Sequence, residues 1–178
     1  MATKTQVSFT QKEKHTVGNL NSLKIKTVAN GALVEGADVD NFTLVELGFN
    51  VDGERTAKQL SAKAKKAYLI ASPEVRYLGE ELGEFYNAVG ERARIVILEP
   101  AYTRFDVSAY TLNTGVTEIT KGQVAHFDVA TKKYIISNVG AEHADFAGSS
   151  AQFLVVSNED DITYTLGAPT VRLEVIKA

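Results

Sequence analysis

"TKGQVAHFDVATKKYIISN", residues 120–138, is the stretch from which the rest of the chain can be read. Lys121-Gly122 makes a corner, and Val124 to Asp128 alternates in character as a strand does. The polar run from Asp128 to Lys133 supplies a turn, and a β-branched strand leaves it through Ile135 and Ile136. His126 and Asp128, at i and i+2, fall on one face of such a strand. A Ser–His–Asp arrangement would also need a nucleophile on a strained elbow, and the chain has no GxSxG. The pair is therefore expected to be the exposed, polar side of a hairpin.

The same texture recurs on both sides of this stretch. ARIVILEP (93–100) is a strand stopped by Pro100, and TRFDVSAY (103–110) sets Phe105 and Val107 against Arg104 and Asp106. AQFLVVSN (151–158) is a further strand, and PTVRLEVIK (169–177) follows the same rule. Towards the N-terminus, Asn30-Gly31 and Asp52-Gly53 are hairpin-turn signals. Between them NFTLVELGFN (41–50) is a strand in which Gly48 is expected to form a bulge. YLIA (68–71) is a short buried strand.

Two windows read otherwise. Residues 56–67 are helical or irregular, and Lys58, Lys63, Lys65 and Lys66 make them a solvated basic face. In residues 79–90, Leu82, Phe85, Tyr86 and Val89 recur at helical spacing, with Glu80, Glu81 and Glu84 early and Gly90 as the stop. Many short strands with one short helix predict a mainly β protein, a β-barrel or sandwich. The absence of βαβ alternation argues against a parallel α/β sheet.

The first twenty residues are polar, with Val7 and Phe9 weakly alternating and charges at Lys12 and Lys14. Such a segment buries little by itself, and it is expected to be a flexible N-terminal arm able to add an edge strand to a neighbour. The organisation expected is an arm over 1–20 and a single β-rich domain over 21–178, with a subdivision into 21–92 and 93–178.

Composition narrows the function. A net charge of −3 argues against broad nucleic-acid binding. The lack of cysteine excludes thiolate catalysis, disulfides and Cys-held metals within this chain. No apolar run is long enough to cross a bilayer as a helix, and the start has no secretory h-region, so synthesis in a cytoplasm is expected. His15, His126 and His143 show no metal-pair spacing, and Glu159-Asp160-Asp161 is not a calcium loop. With no Walker loop, GxGxxG or HExxH, neither enzyme activity nor a metal or cofactor is expected.

The stretch from Gly115 to Ser137 resembles the hairpin of tailed-phage capsid decoration, or cement, proteins through Lys121, Gly122, Val124, Asp128, Thr131, Lys132 and Tyr134. Residues 66–110 are similar to head-associated phage proteins at Gly90, Glu91, Arg92, Arg94, Arg104, Phe105 and Ser108. The resemblance implies a β-tulip-like C-terminal half and a structural role on the exterior of the virion, for a protein made in the host cytoplasm. The partner implied is the major capsid protein of a phage shell, bridged between capsomers by a homo-oligomer such as a trimer, with no nucleic acid or membrane involved. The arm would make the contact, through Val7, Phe9, Lys12 and Lys14. Two other readings stay open: another virion component, such as a tail-tube or head–tail connector subunit, and a β-sandwich carbohydrate-binding module. The seven tyrosines favour the latter and the absence of tryptophan counts against it.

Overall fold

The computed structural model describes residues 15–74, 82–159, 161–162 and 169–178. The protein is mainly β, with essentially no helix among the described residues. Its strands are β1 Gly18–Leu20, β2 Ala32–Val34, β3 Val39–Asp40, β4 Leu44–Phe49, β5 Arg55–Gln59, β6 Tyr68–Ile70, β7 Tyr86–Asn87 and β8 Arg92–Ala93. They continue with β9 Ile95–Val96, β10 Arg104–Val107, β11 Tyr110–Leu112, β12 Val124–Asp128, β13 Lys133–Ser137, β14 Gln152–Val155 and β15 Val171–Lys177.

Seven strands form one sheet in the order β1-β10-β15-β14-β12-β13-β11. Strands β10 and β11 stand five places apart in that order, yet only Ser108 and Ala109 connect them. A flat sheet would separate them by about 24 Å at the usual strand spacing. The link from Val107 to Tyr110 can span only about 11 Å. The sheet must therefore curl until its two sides nearly meet, and it is a nearly closed barrel. The interior agrees. Phe105 of β10 and Tyr134 of β13 are four places apart, but their rings lie 5.7 Å from each other.

The barrel is filled by the inward half of each alternating strand. Phe105, Val107, Ala125, Phe127, Tyr134, Ile136, Phe153, Val155, Val171, Leu173 and Val175 share one core. A second sheet, β8-β2-β5-β4-β6-β9, packs onto it. Three of its strands serve two cores by period-two alternation. Leu44, Leu69 and Val96 join the barrel core, whereas their neighbours Val45, Ile70 and Ile95 join a smaller cluster with Ala32, Val34, Val39, Ala57 and Ala93. The barrel core thus draws side chains from both sides of residue 92. Almost all pairings are antiparallel; the exceptions are β11 with β13 and β2 with β5, and neither joins through a helix.

Three local expectations are corrected by these pairings. The window at 56–67 begins as strand β5, because the turn at Asp52-Gly53 folds it back along β4 and the ladder outweighs helix propensity. Gly48 sits in that ladder opposite Thr56 without a bulge, and a register shift falls instead between Gln152 and Phe153. Among the described residues of the expected helical segment, the helix is a single 3-10 turn, Leu82–Glu84. Tyr86–Asn87 leaves it as a strand to pair with Val39–Asp40, and that pairing buries Phe85 and Tyr86 better than a solvated helix face would. Glu80, Glu81 and Asp160 lie outside the described residues.

The end of the expected arm is also part of the fold. His15 is bonded to Asp40 at 2.5 Å and packs on Tyr86, and Gly18–Leu20 pairs antiparallel with β10. Gly18 is there because nothing larger fits. A Cβ at this position would collide with the Asp106 carbonyl oxygen and meet the Phe42 ring at 2.6 Å. Gly18→Ala is expected to destabilise the protein by about 2 kcal/mol through overpacking, seen as a lowered denaturation midpoint. An unchanged midpoint would mean that β1 docks more loosely than this.

Candidate functional site

The stretch at 120–138 folds as read: a corner, a strand, a turn and a strand. Gly122 takes a φ of 94°, a left-handed conformation that side chains disfavour, so the Lys121-Gly122 corner needs glycine. Strands β12 and β13 pair from Val124↔Ser137 to Asp128↔Lys133. Asp128 builds the turn by accepting hydrogen bonds from the Ala130 and Thr131 backbone amides at 3.2 and 3.0 Å, and from the Thr131 hydroxyl at 2.6 Å. Burial raises the Asp128 pKa, but these bonds outweigh it and hold the carboxyl below its ordinary range.

The outer face of β12 departs from expectation. His126 is not an exposed residue of a polar face; it is 1% accessible. The loop 138–150 folds over it, stacking His143 on its ring at 5.1 Å and setting Phe146 edge-on at 6.3 Å. Neither ring nitrogen of His126 has a hydrogen-bond partner among the described residues. Burial, reinforced by the neighbouring His143, pushes its pKa down to about 4, so the imidazole is neutral near pH 7. Asp128 is occupied by its turn, and the two do not form a catalytic pair.

The loop covers His126 because several bonds pin it. The Lys63 ammonium pairs with Asp145, and the Ser150 amide donates to the Lys63 carbonyl at 2.7 Å. Gln152 Nε2 donates to the Phe146 carbonyl and the Ser149 hydroxyl to the Asp145 carbonyl, both at 2.8 Å. The result is a cluster in which one ligand atom each from His126, His143 and Asp145 lies within 4.8 Å of the others. This is the one such trio among the described residues. Seventeen positions separate the two histidines in sequence, so no spacing rule could have found it.

The basic window is no open cationic surface. Lys58 pairs with Glu35 at 3.3 Å, Lys65 with Glu46 at 2.9 Å, and Lys63 with Asp145, while Lys66 lies over the Tyr68 ring. The arm residues Val7, Phe9, Lys12 and Lys14 lie outside the described residues. Where the described chain begins, strand β1 forms one edge of the barrel sheet. Close by, a shallow depression is lined by Ser22, Leu23, Ala101, Tyr102, Arg104 and Glu174. Leu23 and Tyr102 there are exposed large apolar side chains.

Known proteins offer a close counterpart to this chain. The sequence profile of the YonC prophage protein family matches residues 11–176. The SPbeta prophage-derived uncharacterized protein YonC of Bacillus subtilis (strain 168) is 68% identical over 178 residues, covering 100% of both chains. No solved structure matches.

Proposed function

This chain belongs to the YonC prophage protein family, and we propose that it is a structural protein of a phage virion that binds the outside of the capsid. A phage origin follows from the family; the capsid role is our reading of the surface. Its copies, acting as a homo-oligomer, would bridge neighbouring capsomers and stiffen the shell without catalytic turnover. The observation that carries the reading is the barrel edge at β1. A polar stretch of sequence precedes this edge strand, which lies beside the exposed Leu23 and Tyr102. Edge strands invite strand addition, and apolar side chains held in water favour burial against a partner. Many copies of a modest contact then give high avidity.

The deletion that tests this has a natural boundary. It falls just before His15, because His15 and Gly18–Leu20 belong to the fold and stay in the 15–178 form. Purified full-length protein is expected to co-sediment in fixed stoichiometry with empty phage shells, and the 15–178 form to bind at least about tenfold more weakly. Undiminished binding by the truncated form would remove the arm from the proposal. Self-assembly into rings or tubes, with no affinity for shells, would replace the capsid role by a tail-tube or connector role.

A further inference from the structure

We propose that His126, His143 and Asp145 form a binding site for one first-row divalent cation of the zinc or cobalt type. The case begins with His126. A fully buried imidazole with neither nitrogen bonded is costly unless something pairs with it, and buried polar groups are nearly always satisfied. Its neighbours are of the kind that would complete a site. His143 is stacked on it, and Asp145 is two residues further along the same loop.

The donors select the cation. Two imidazole nitrogens and one carboxylate oxygen suit zinc, cobalt or nickel, whereas magnesium and calcium require oxygen-rich cages. Asp145 holds Lys63 through Oδ1, which leaves Oδ2 for a metal, whereas the His143 Nδ1 accepts the Asp145 amide at 3.2 Å, a bond that must break before either ring nitrogen can take the metal. The turn of the His143 ring that brings the donors together releases that bond. Tetrahedral coordination at the usual zinc bond lengths needs donors about 3.3 Å apart. The present spread of up to 4.8 Å closes by side-chain rotation of His143 and Asp145, both partly exposed. His126 stays fixed in strand β12. A water would take the fourth position, so the site tethers the loop 138–150 to the barrel.

Lys63 sets the strength. Its ammonium already supplies positive charge to Asp145, and it opposes an arriving dication. Affinity should therefore be moderate in the native protein and tighter in Lys63→Gln.

The test is titration of the full chain, first stripped with a chelator, with Zn2+ by calorimetry and with Co2+ by visible spectroscopy. One equivalent per chain is expected, with the intense d–d bands of four- or five-coordinate cobalt and a rise in Tm on adding Zn2+. His143→Ala and Asp145→Asn, both on the surface loop, are expected to weaken binding at least about a hundredfold and tenfold respectively and to shrink the Tm rise at a fixed Zn2+ concentration correspondingly. His126→Leu is expected to abolish binding if it folds; the loop variants carry the test if it does not. The absence of saturable binding at millimolar Zn2+ would overturn the proposal. So would binding left unchanged in His143→Ala.

Discussion

Replacing Tyr134 with alanine is expected to lower the unfolding free energy by about 4 kcal/mol, the largest effect of any single side-chain truncation in the barrel. Tyr134 is fully buried on β13. Its ring meets Phe127 at 5.2 Å, Phe153 at 5.3 Å and Phe105 at 5.7 Å, all tilted or edge-on. These partners come from three different strands, β12, β14 and β10, so one ring braces nearly the whole curl of the sheet. Its hydroxyl donates to the Phe42 carbonyl at 3.1 Å, which ties the barrel to the segment entering β4. Burial pushes the phenol pKa well up, so the hydroxyl stays protonated as that bond requires. Tyr134→Phe isolates the hydrogen bond and is expected to cost about 1 kcal/mol. Urea unfolding of both variants checks this: the midpoint should fall in that order while the slope stays constant. A loss below about 2 kcal/mol for Tyr134→Ala would mean that the aromatic cluster collapses into the void and does not act as a brace.

Arg172→Met is expected to cost about 3 kcal/mol by a different route, the stranding of a buried charge. Asp106 is 4% accessible and sits directly opposite Arg172 in the β10–β15 ladder. The guanidinium holds both carboxylate oxygens, Nε to Oδ1 at 2.8 Å and a terminal nitrogen to Oδ2 at 3.1 Å. Hydrogen bonding and attraction from Asp106 raise the Arg172 pKa further. Removal of the cation leaves a buried carboxylate without its counter-charge, whereas removal of both charges does not. Asp106→Leu with Arg172→Met is therefore expected to recover most of the lost stability in the same urea titration. If the double variant is as unstable as the single one, the strand pairing itself depends on this ion pair.

The hairpin at 120–138 could be read without coordinates because its signals are local. Gly122 meets a dihedral requirement, and Asp128 with Thr131 closes a turn through bonds spanning three residues. The alternation in β10 and β15 likewise follows from a strand with one face in a core, and its inward residues are those the pattern names. Residues 79–90 misled for the opposite reason. Leu82, Phe85 and Tyr86 satisfy a helical spacing, but Tyr86–Asn87 has a strand partner, Val39–Asp40, far away in sequence. A period seen over a few residues cannot register such a partner.

The candidate metal cluster was invisible for the same reason. His126 alternates correctly along β12, and its face should have been solvent in a hairpin standing alone. It is buried because the loop 138–150 is drawn over it by Lys63, a residue from the connection between β5 and β6. Short-range dihedral and amphipathic rules were enough to establish that this chain is β-rich, where several of its turns fall, and which side chains of its long strands enter the barrel. Closure of the sheet, the burial of Asp106 with Arg172, and the stacking of two distant histidines beside an aspartate came from tertiary contacts alone. Those outcomes depend on which surfaces meet after the chain has folded, and that information is spread over residues too far apart for any local pattern to carry.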